Sequence, residues 1–317
     1  MSQSTTTWTD QRVADTLDVD TAIASQRRAF DALGRGEAQM ADKVALSHAD
    51  SADTTLCYVS KLSPAHGVVS KLIAVHPHNA ERGLPVISAT VLVLDATTGR
   101  LVATLEGTAL TAIRTAAGSA VAADALAAPD ADVLAVLGSG VQARGHVRTI
   151  ARVRTLREVR IHSPSRTNRE AAAEELSTEL GLDVRAVDSP PDAVRGAAMV
   201  ATCTLSKEPV FATADLDPGA TVLSVGSFQH DRFEVDAELV RRASMVVVDD
   251  VGTAVRHAGP IVRALESGVM ARRDMLSLAD VLRRTGRERS RDDIAFFNSV
   301  GLGVQDAAAA HAVLGTL

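Results

Sequence analysis

Cysteine is almost absent from this chain: Cys57 and Cys203 are the only two, and no C-x-x-C occurs. That excludes a disulfide framework and a cysteine-based metal site, and both thiols are expected to be reduced and buried. Lysine is nearly as scarce, with only Lys43, Lys61, Lys71 and Lys207 against a large excess of arginine. A lysine here is therefore not generic surface filler. Net positive charge is also missing; a net charge of -6 argues against nucleic acid as the main partner. No apolar run approaches the length of a membrane span. The amino terminus, M-S-Q-S-T-T-T-W, lacks the basic and apolar regions of a secretion signal, so a cytoplasmic protein without a membrane partner is expected. What remains is an ordinary globular composition, 46% hydrophobic and 23% charged. At 317 residues the chain suits two domains better than one small core.

The most informative stretch runs from Val133 to Val147. Val133 to Leu137 reads as a buried parallel strand. Gly138-Ser139-Gly140-Val141-Gln142-Ala143 then fits G-x-G-x-x-A, with a helical pattern after it. Gly138 permits a tight turn, Gly140 lets a pyrophosphate approach the backbone, and Ala143 lets the helix pack on the strand. The helix N-terminus offers free N–H groups and positive dipole to phosphates. Strand–turn–helix context is what raises this pattern above chance glycines.

Around it the chain changes period several times. Asp18 to Leu33 reads as an amphipathic helix capped by Asp18 or Asp20 and ended by Gly34 and Gly36. Ala38 to Leu105 is mostly β, with strands at 56–59, 68–75, 86–94 and 101–105 and a hairpin turn at Asp95–Gly99. Thr108 to Leu126 is an Ala-rich helix whose small residues predict close packing. Beyond the glycine loop, helices and strands alternate: helix 141–153, strand 158–162, helix 169–180, strand 184–187, a short helix near Ala193, strands 199–203 and 221–225, helix 237–243 and strand 245–248. Helices near 261–266, 276–284 and 305–314 and a polar loop at 285–292 complete the chain. The Arg272-Arg273 and Arg283-Arg284 pairs read as solvated faces. This alternation predicts an α/β protein with a doubly wound parallel Rossmann sheet, whose ligands lie at the carboxyl ends of its strands. Those ends carry Gly138, Ser163, Thr202, Thr204 and Gly226.

An NAD site usually places a carboxylate after its second strand, to accept from the ribose 2′-OH. Here that strand ends in Ser163-Pro-Ser165-Arg166-Thr-Asn-Arg169, with no carboxylate before Glu170. Hydroxyls and guanidiniums suit a 2′-phosphate, so NADPH is favoured over NADH. The alternative is that Ser165 or Thr167 merely caps the next helix.

Two further segments stand out. Lys71 lies inside the apolar strand that leads to His76-Pro-His78-Asn79 and Arg82-Gly-Leu-Pro85. Arg114 lies inside the Ala-rich helix, in Leu110-Thr-Ala-Ile-Arg-Thr-Ala-Ala117. A cation in either place is costly unless paired or functional. His76 and His78 have no evident third ligand, so no metal is expected.

Taken with the glycine loop, the L-T-A-I-R-T-A-A run, the Lys71-to-Asn79 string, R-G-L-P and Ser299-Val-Gly301-Leu-Gly-Val-Gln-Asp306 closely resemble the ornithine cyclodeaminase/mu-crystallin family over nearly the whole chain. The resemblance implies a Rossmann domain, 118–304, beside a mixed α+β substrate and dimerisation domain, 1–117, completed by the C-terminal helix 305–317. It implies a homodimer. By position, Arg114 is the substrate-carboxylate residue and Lys71 the second substrate contact, near the reacting carbon and nitrogen. Lys43 stands where the family usually has Arg, which keeps the charge but not the fork. Thr111 and Thr115, one turn apart, face the cofactor. Asn79 bonds the cofactor or holds its loop, and Ser299 and Gly301 join the cofactor set with Ser139, Val141 and Gln142. Where ornithine-acting members carry a G-G-D-like string this chain has Gly226-Ser227-Phe228. Phe228 offers an apolar wall to the substrate, and Asp231 is the nearest carboxylate. His230 is expected to have no catalytic role.

The function implied is NADPH-dependent reduction of a small carboxylate-bearing imine, such as a cyclic ketimine of the pyrroline- or piperideine-2-carboxylate kind, to an amino acid. The alternatives are an ornithine-type cyclodeaminase, an open-chain amino-acid dehydrogenase, and a non-enzymatic NADPH-binding protein.

Overall fold

The computed structural model describes residues 5–47, 53–283 and 289–317. Part of the expected polar loop, and Arg284 of the second arginine pair, lie outside the described residues. The chain divides into two compact units, residues 1–115 with 302–317, and residues 116–301. The division falls within the Ala-rich helix Thr108–Leu126.

In the first unit seven strands form one mixed sheet. They are β1 (Thr6–Trp8), β2 (Gln39–Met40), β3 (Val44–Ser47), β4 (Thr54–Lys61), β5 (Val68–Val75), β6 (Ile87–Leu94) and β7 (Leu101–Glu106). Their order is β1-β7-β6-β5-β4-β2, with β3 also on β4; among the described residues only the β1–β7 pair is parallel. The meander forms because β-branched residues alternate with small or polar ones between tight turns. Asp95 builds the β6–β7 turn by accepting from Thr97 N at 3.1 Å and Thr98 N at 2.7 Å. Period-2 alternation sends Leu56, Tyr58, Val69, Lys71, Ile73 and Val91 to a buried face. Tyr58, Lys71, Val91 and Leu105 share one row across four strands. The amphipathic helix runs Val19–Gly34, and Asp18 caps it by accepting from Thr21 N. The final helix, Gly303–Val313, packs against that helix and against β4 and β5. The helix Asp10–Thr16 and strand β1 have no strong sequence pattern and were not expected.

In the second unit eight strands form an all-parallel sheet. They are β8 (Val133–Leu137), β9 (Glu158–His162), β10 (Asp183–Ala186), β11 (Met199–Thr202), β12 (Thr221–Ser224), β13 (Met245–Val248), β14 (Met275–Ser277) and β15 (Ala295–Asn298). The order is β10-β9-β8-β11-β12-β15-β13-β14. Central strands are buried on both faces and so read as continuous apolar runs. The strand order reverses between β8 and β11, which places the switch point beside the glycine loop. The sequence reading missed β15, a four-residue run after a polar loop. It also took β14 for the start of a helix, which begins only at Leu278, and missed the helix Val251–His257. The expected close packing of the Ala-rich helix is present. A Cβ on Gly145 would lie 3.2 Å from the Ala116 methyl, and Thr149 Oγ1 donates to the Ala116 carbonyl at 3.0 Å.

Candidate active site

Lys71 enters the first unit's core because register on β5 turns it to the buried face. Its side chain is 1% exposed. The ammonium lies 2.8 Å from both carboxylate oxygens of Asp306, on the final helix, and donates to Oδ1. Thr111 Oγ1 is 3.5 Å away, and the Tyr58 ring centroid 4.8 Å. Burial pulls the Lys71 pKa down to about 8; Asp306 opposes that fall, while Arg114 and Lys43 add to it. Arg114 is also buried, and its Nε donates to the same Asp306 Oδ1 at 2.8 Å. Its Nη1 reaches Gln305 Oε1 at 3.5 Å. Two cations thus share one carboxylate, an excess of positive charge in a poorly solvated place. Such an arrangement favours a bound anion.

Sequence reasoning missed Asp306 as a member of this group, although the closing string ended on it. The available signal was a carboxylate inside an Ala-rich helix, as costly there as Arg114 in its own. Thr115 Oγ1 donates back to the Thr111 carbonyl at 2.7 Å, so its hydroxyl is engaged within its own helix. Asn79 holds its loop, donating from Nδ2 to the Pro85 carbonyl at 3.0 Å. His76 lies beside Asp53 and His78 beside Glu81. Among the described residues no group of three or more metal-ligating side chains occurs.

In the second unit the glycine loop has the shape its sequence requires. Gly138 sits at φ +125°, and a Cβ there would lie 2.6 Å from the Cys203 carbonyl oxygen. Gly140 is the N-cap of helix Val141–Val153 without a side-chain cap, and Val141 is 70% exposed. The first-turn N–H groups therefore lack a side-chain acceptor, which fits a pyrophosphate. Ser139 Oγ is 2.9 Å from Ser163 Oγ, tying the loop to the end of β9. Gln142 uses its carbonyl to accept from His146 Nδ1, and its Oε1 is a buried oxygen without a hydrogen-bond partner. Ser165 caps helix Arg166–Leu180, which begins three residues earlier than expected. Arg166 is exposed and paired with Glu170 at 2.7 Å. Arg169 is buried under the loop, bonded to the Ser163 carbonyl at 3.0 Å and to Asp188.

Two buried carboxylates unforeseen in the sequence organise the other strand ends. Glu234 accepts from Thr202 Oγ1, Thr204 N, Thr204 Oγ1, Ser224 Oγ and Gly226 N, at 2.6–3.1 Å. Burial raises its pKa, and the donors partly oppose the rise. A Cβ on Gly226 would overlap the Thr204 carbonyl oxygen at 1.7 Å, so only glycine fits. The hydroxyls of Thr202 and Thr204, expected to meet a ligand, face Glu234 instead. Asp249 likewise accepts from Ser299 Oγ, Val300 N and Gly301 N. Phe228 packs against the second unit's core, with the Arg232 guanidinium 5.5 Å from its ring centroid. Asp231 is paired with Lys207 at 2.7 Å. Cys57 and Cys203 are both free, and none of the described helices is long and apolar enough to cross a membrane.

Residues 4–316 match the model of the ornithine cyclodeaminase/mu-crystallin family. An uncharacterized cyclodeaminase of Sinorhizobium fredii is 36% identical over 73% of this chain and 71% of its own length. The ketimine reductase mu-crystallin of Mus musculus is 32% identical over 78% of this chain and 75% of its own. A solved structure of Thermococcus litoralis Δ(1)-pyrroline-2-carboxylate reductase, in complex with NADH and L-proline, superposes with a TM-score of 0.93. It is 28% identical and covers 98% of this chain and 96% of that one. With an all-parallel Rossmann-like sheet, a mixed-sheet unit and a family match over almost its whole length, this chain belongs to the ornithine cyclodeaminase/mu-crystallin family.

Proposed function

We propose that this protein is an NADPH-dependent reductase of a small cyclic ketimine bearing a carboxylate. The observation that carries the reading is the buried Lys71–Asp306–Arg114 group, whose excess positive charge suits a monoanionic substrate. Arg114, with Lys43, holds the substrate carboxylate. Its Nε and Nη1 are engaged by Asp306 and Gln305, which leaves Nη2 for that contact. Lys71 faces the imine. With a pKa of about 8 it is largely protonated at neutral pH yet able to give a proton up. The reduced nicotinamide, when bound, supplies the hydride for the C=N carbon. Lys71 supplies the proton for nitrogen and is recharged from solvent, so hydride and proton together make the amino acid.

Gly138 to Gln142 would cradle the pyrophosphate. Ser163 and Arg166 would meet the 2′-phosphate, Arg166 by exchanging Glu170 for the stronger phosphate partner. Arg169 acts through the loop that it braces. Phe228 in place of a carboxylate, together with the pairing of Asp231 to Lys207, supports a reductase over a lyase.

The test is a panel of cyclic imino acids, and of 2-oxo acids with ammonia or methylamine, followed by loss of reduced nicotinamide. Net NADPH consumption with a cyclic imine is expected, with NADH poorer. Arg166→Ala should narrow that preference through the cofactor KM. Ornithine with catalytic nicotinamide should yield no proline; sustained ammonia and proline release would make the protein a cyclodeaminase instead.

We also propose that the chain works as a homodimer through the outward face of the first unit's sheet. Val59, Leu72 and Leu92 on that face are 42%, 55% and 40% exposed, beside Val44 and Leu46. A row of apolar side chains open to water on a sheet face calls for a partner. A Leu72→Glu, Leu92→Glu variant should run as a folded monomer in light scattering. An unchanged mass would reject this face.

A further inference from the structure

We infer that Asp306 is the positioning residue of the cationic centre: one carboxylate, reaching from the final helix, fixes Lys71 and Arg114 relative to one another and keeps Lys71 charged. The inference rests on the role proposed above for Lys71. Asp306 Oδ1 is shared, receiving Lys71 Nζ and Arg114 Nε at 2.8 Å each. Asp306 Oδ2 also lies 2.8 Å from Nζ, without a directional hydrogen bond. The carboxylate is 1% exposed, so bulk solvent screens it little.

A shared acceptor sets a distance that neither cation fixes by itself, because each comes from a different element. Lys71 is on β5 and Arg114 on helix Thr108–Leu126. Gln305 steadies the arrangement: its Oε1 accepts from Leu302 N at 2.9 Å, while Gln26 Nε2 donates to its carbonyl at 3.2 Å. The helix that presents Asp306 is therefore tied at its first turn to the amphipathic helix Val19–Gly34.

The groups facing the Lys71 ammonium are Asp306 from the final helix, Arg114 and Thr111 from the Ala-rich helix, Tyr58 from β4, and Lys43 from the segment before β3. Asp306 is the anion that acts on Lys71 among the described residues. Without it, burial and two neighbouring cations would drive the proton off. With it, the ammonium stays charged yet close to release.

The scarcity of lysine makes this measurable. Protein carrying ¹³C at lysine Cε gives four lysine signals, and that of Lys71 is assigned by its loss in Lys71→Met. In the free wild-type protein the Lys71 signal should titrate near 8. In Asp306→Asn, which keeps shape and removes charge, the midpoint should fall by about one unit or more. Asp306→Glu should return it toward the wild-type value. Arg114→Met leaves Asp306 to Lys71 alone and should raise it, a readout that survives if the Asn variant does not fold.

A midpoint unmoved in Asp306→Asn, or unmoved or lowered in Arg114→Met, would overturn the inference. Because these titrations need no substrate, they stand apart from the reading of function. If the Lys71 midpoint falls in Asp306→Asn while the alkaline limb of the kcat profile stays put, Asp306 keeps its positioning role and Lys71 loses its role as proton donor.

Discussion

Arg114→Ala should lower kcat/KM for the imine by about 30-fold to several thousandfold, corresponding to about 2–5 kcal/mol of transition-state stabilisation. Two effects add. The substrate carboxylate loses a partner in a site with little water, and Asp306 loses one of its two cations. NADPH affinity should change much less, since every residue proposed to hold phosphate lies in the second unit. Lys71→Met should act chiefly on kcat, by about 10²–10⁴-fold, the range for loss of a positioned acid. Lys61→Met and Lys207→Met are the controls and should be near neutral; Lys207 makes a surface pair with Asp231, which contributes little. The wild-type kcat should fall as pH rises through about 8, because the proton to be donated is then already gone. Steady-state kinetics across pH, with cofactor binding followed by fluorescence, separates these outcomes. Equal losses in all four variants would remove the special place of Lys71 and Arg114.

The residues legible in the sequence are those whose local setting was physically expensive. Lys71 interrupts an apolar strand and Arg114 an Ala-rich helix, and the neighbours of each along the chain are enough to show that it needs a partner. The glycine loop was legible because Gly138 and Gly140 stand between a strand pattern and a helix pattern. Partners, by contrast, were not legible. Asp306 is 235 residues from Lys71, and periodicity carries no information about a pairing so distant. Glu234 was invisible for a different reason. Two of its five donors are backbone N–H groups, and a carboxylate that binds backbone leaves no mark in side-chain pattern. The same blindness sent Thr202 and Thr204 to the ligand in the sequence reading. Their spacing of two puts both on one side of the chain, but only the fold shows that Glu234 occupies that side. Strand β15 shows the limit for short elements. Ala-Phe-Phe-Asn is too brief to display a period, and its place inside the sheet comes from pairing with β12 and β13.

Glu234→Leu should be the most damaging single substitution in the second unit. It removes an acceptor from five buried donors at once. An unsatisfied buried donor costs about 1–3 kcal/mol. The three hydroxyls are able to turn toward other acceptors, but the N–H groups of Thr204 and Gly226 are fixed by the backbone. The net loss should therefore be on the order of 4 kcal/mol, governed by those two groups. Glu234→Gln separates the contributions. Oε1 faces Thr204 N and Oε2 faces Gly226 N, so whichever oxygen becomes an amide nitrogen meets one backbone donor head-on. The other oxygen still accepts, and the cost should be about half that of leucine. Thr202→Val removes only a donor, leaves Glu234 its other four, and should cost under about 1 kcal/mol. Differential scanning calorimetry reads this series as a graded fall in the transition of the second unit. Cofactor affinity should fall in the same order, because the segments that Glu234 ties down leave the carboxyl ends of β11 and β12, where a dinucleotide lies in this fold. A Glu234→Leu protein that melts and binds NADPH like wild type would mean that water replaces the carboxylate at no cost, and that these strand ends need no buried anion to hold their shape.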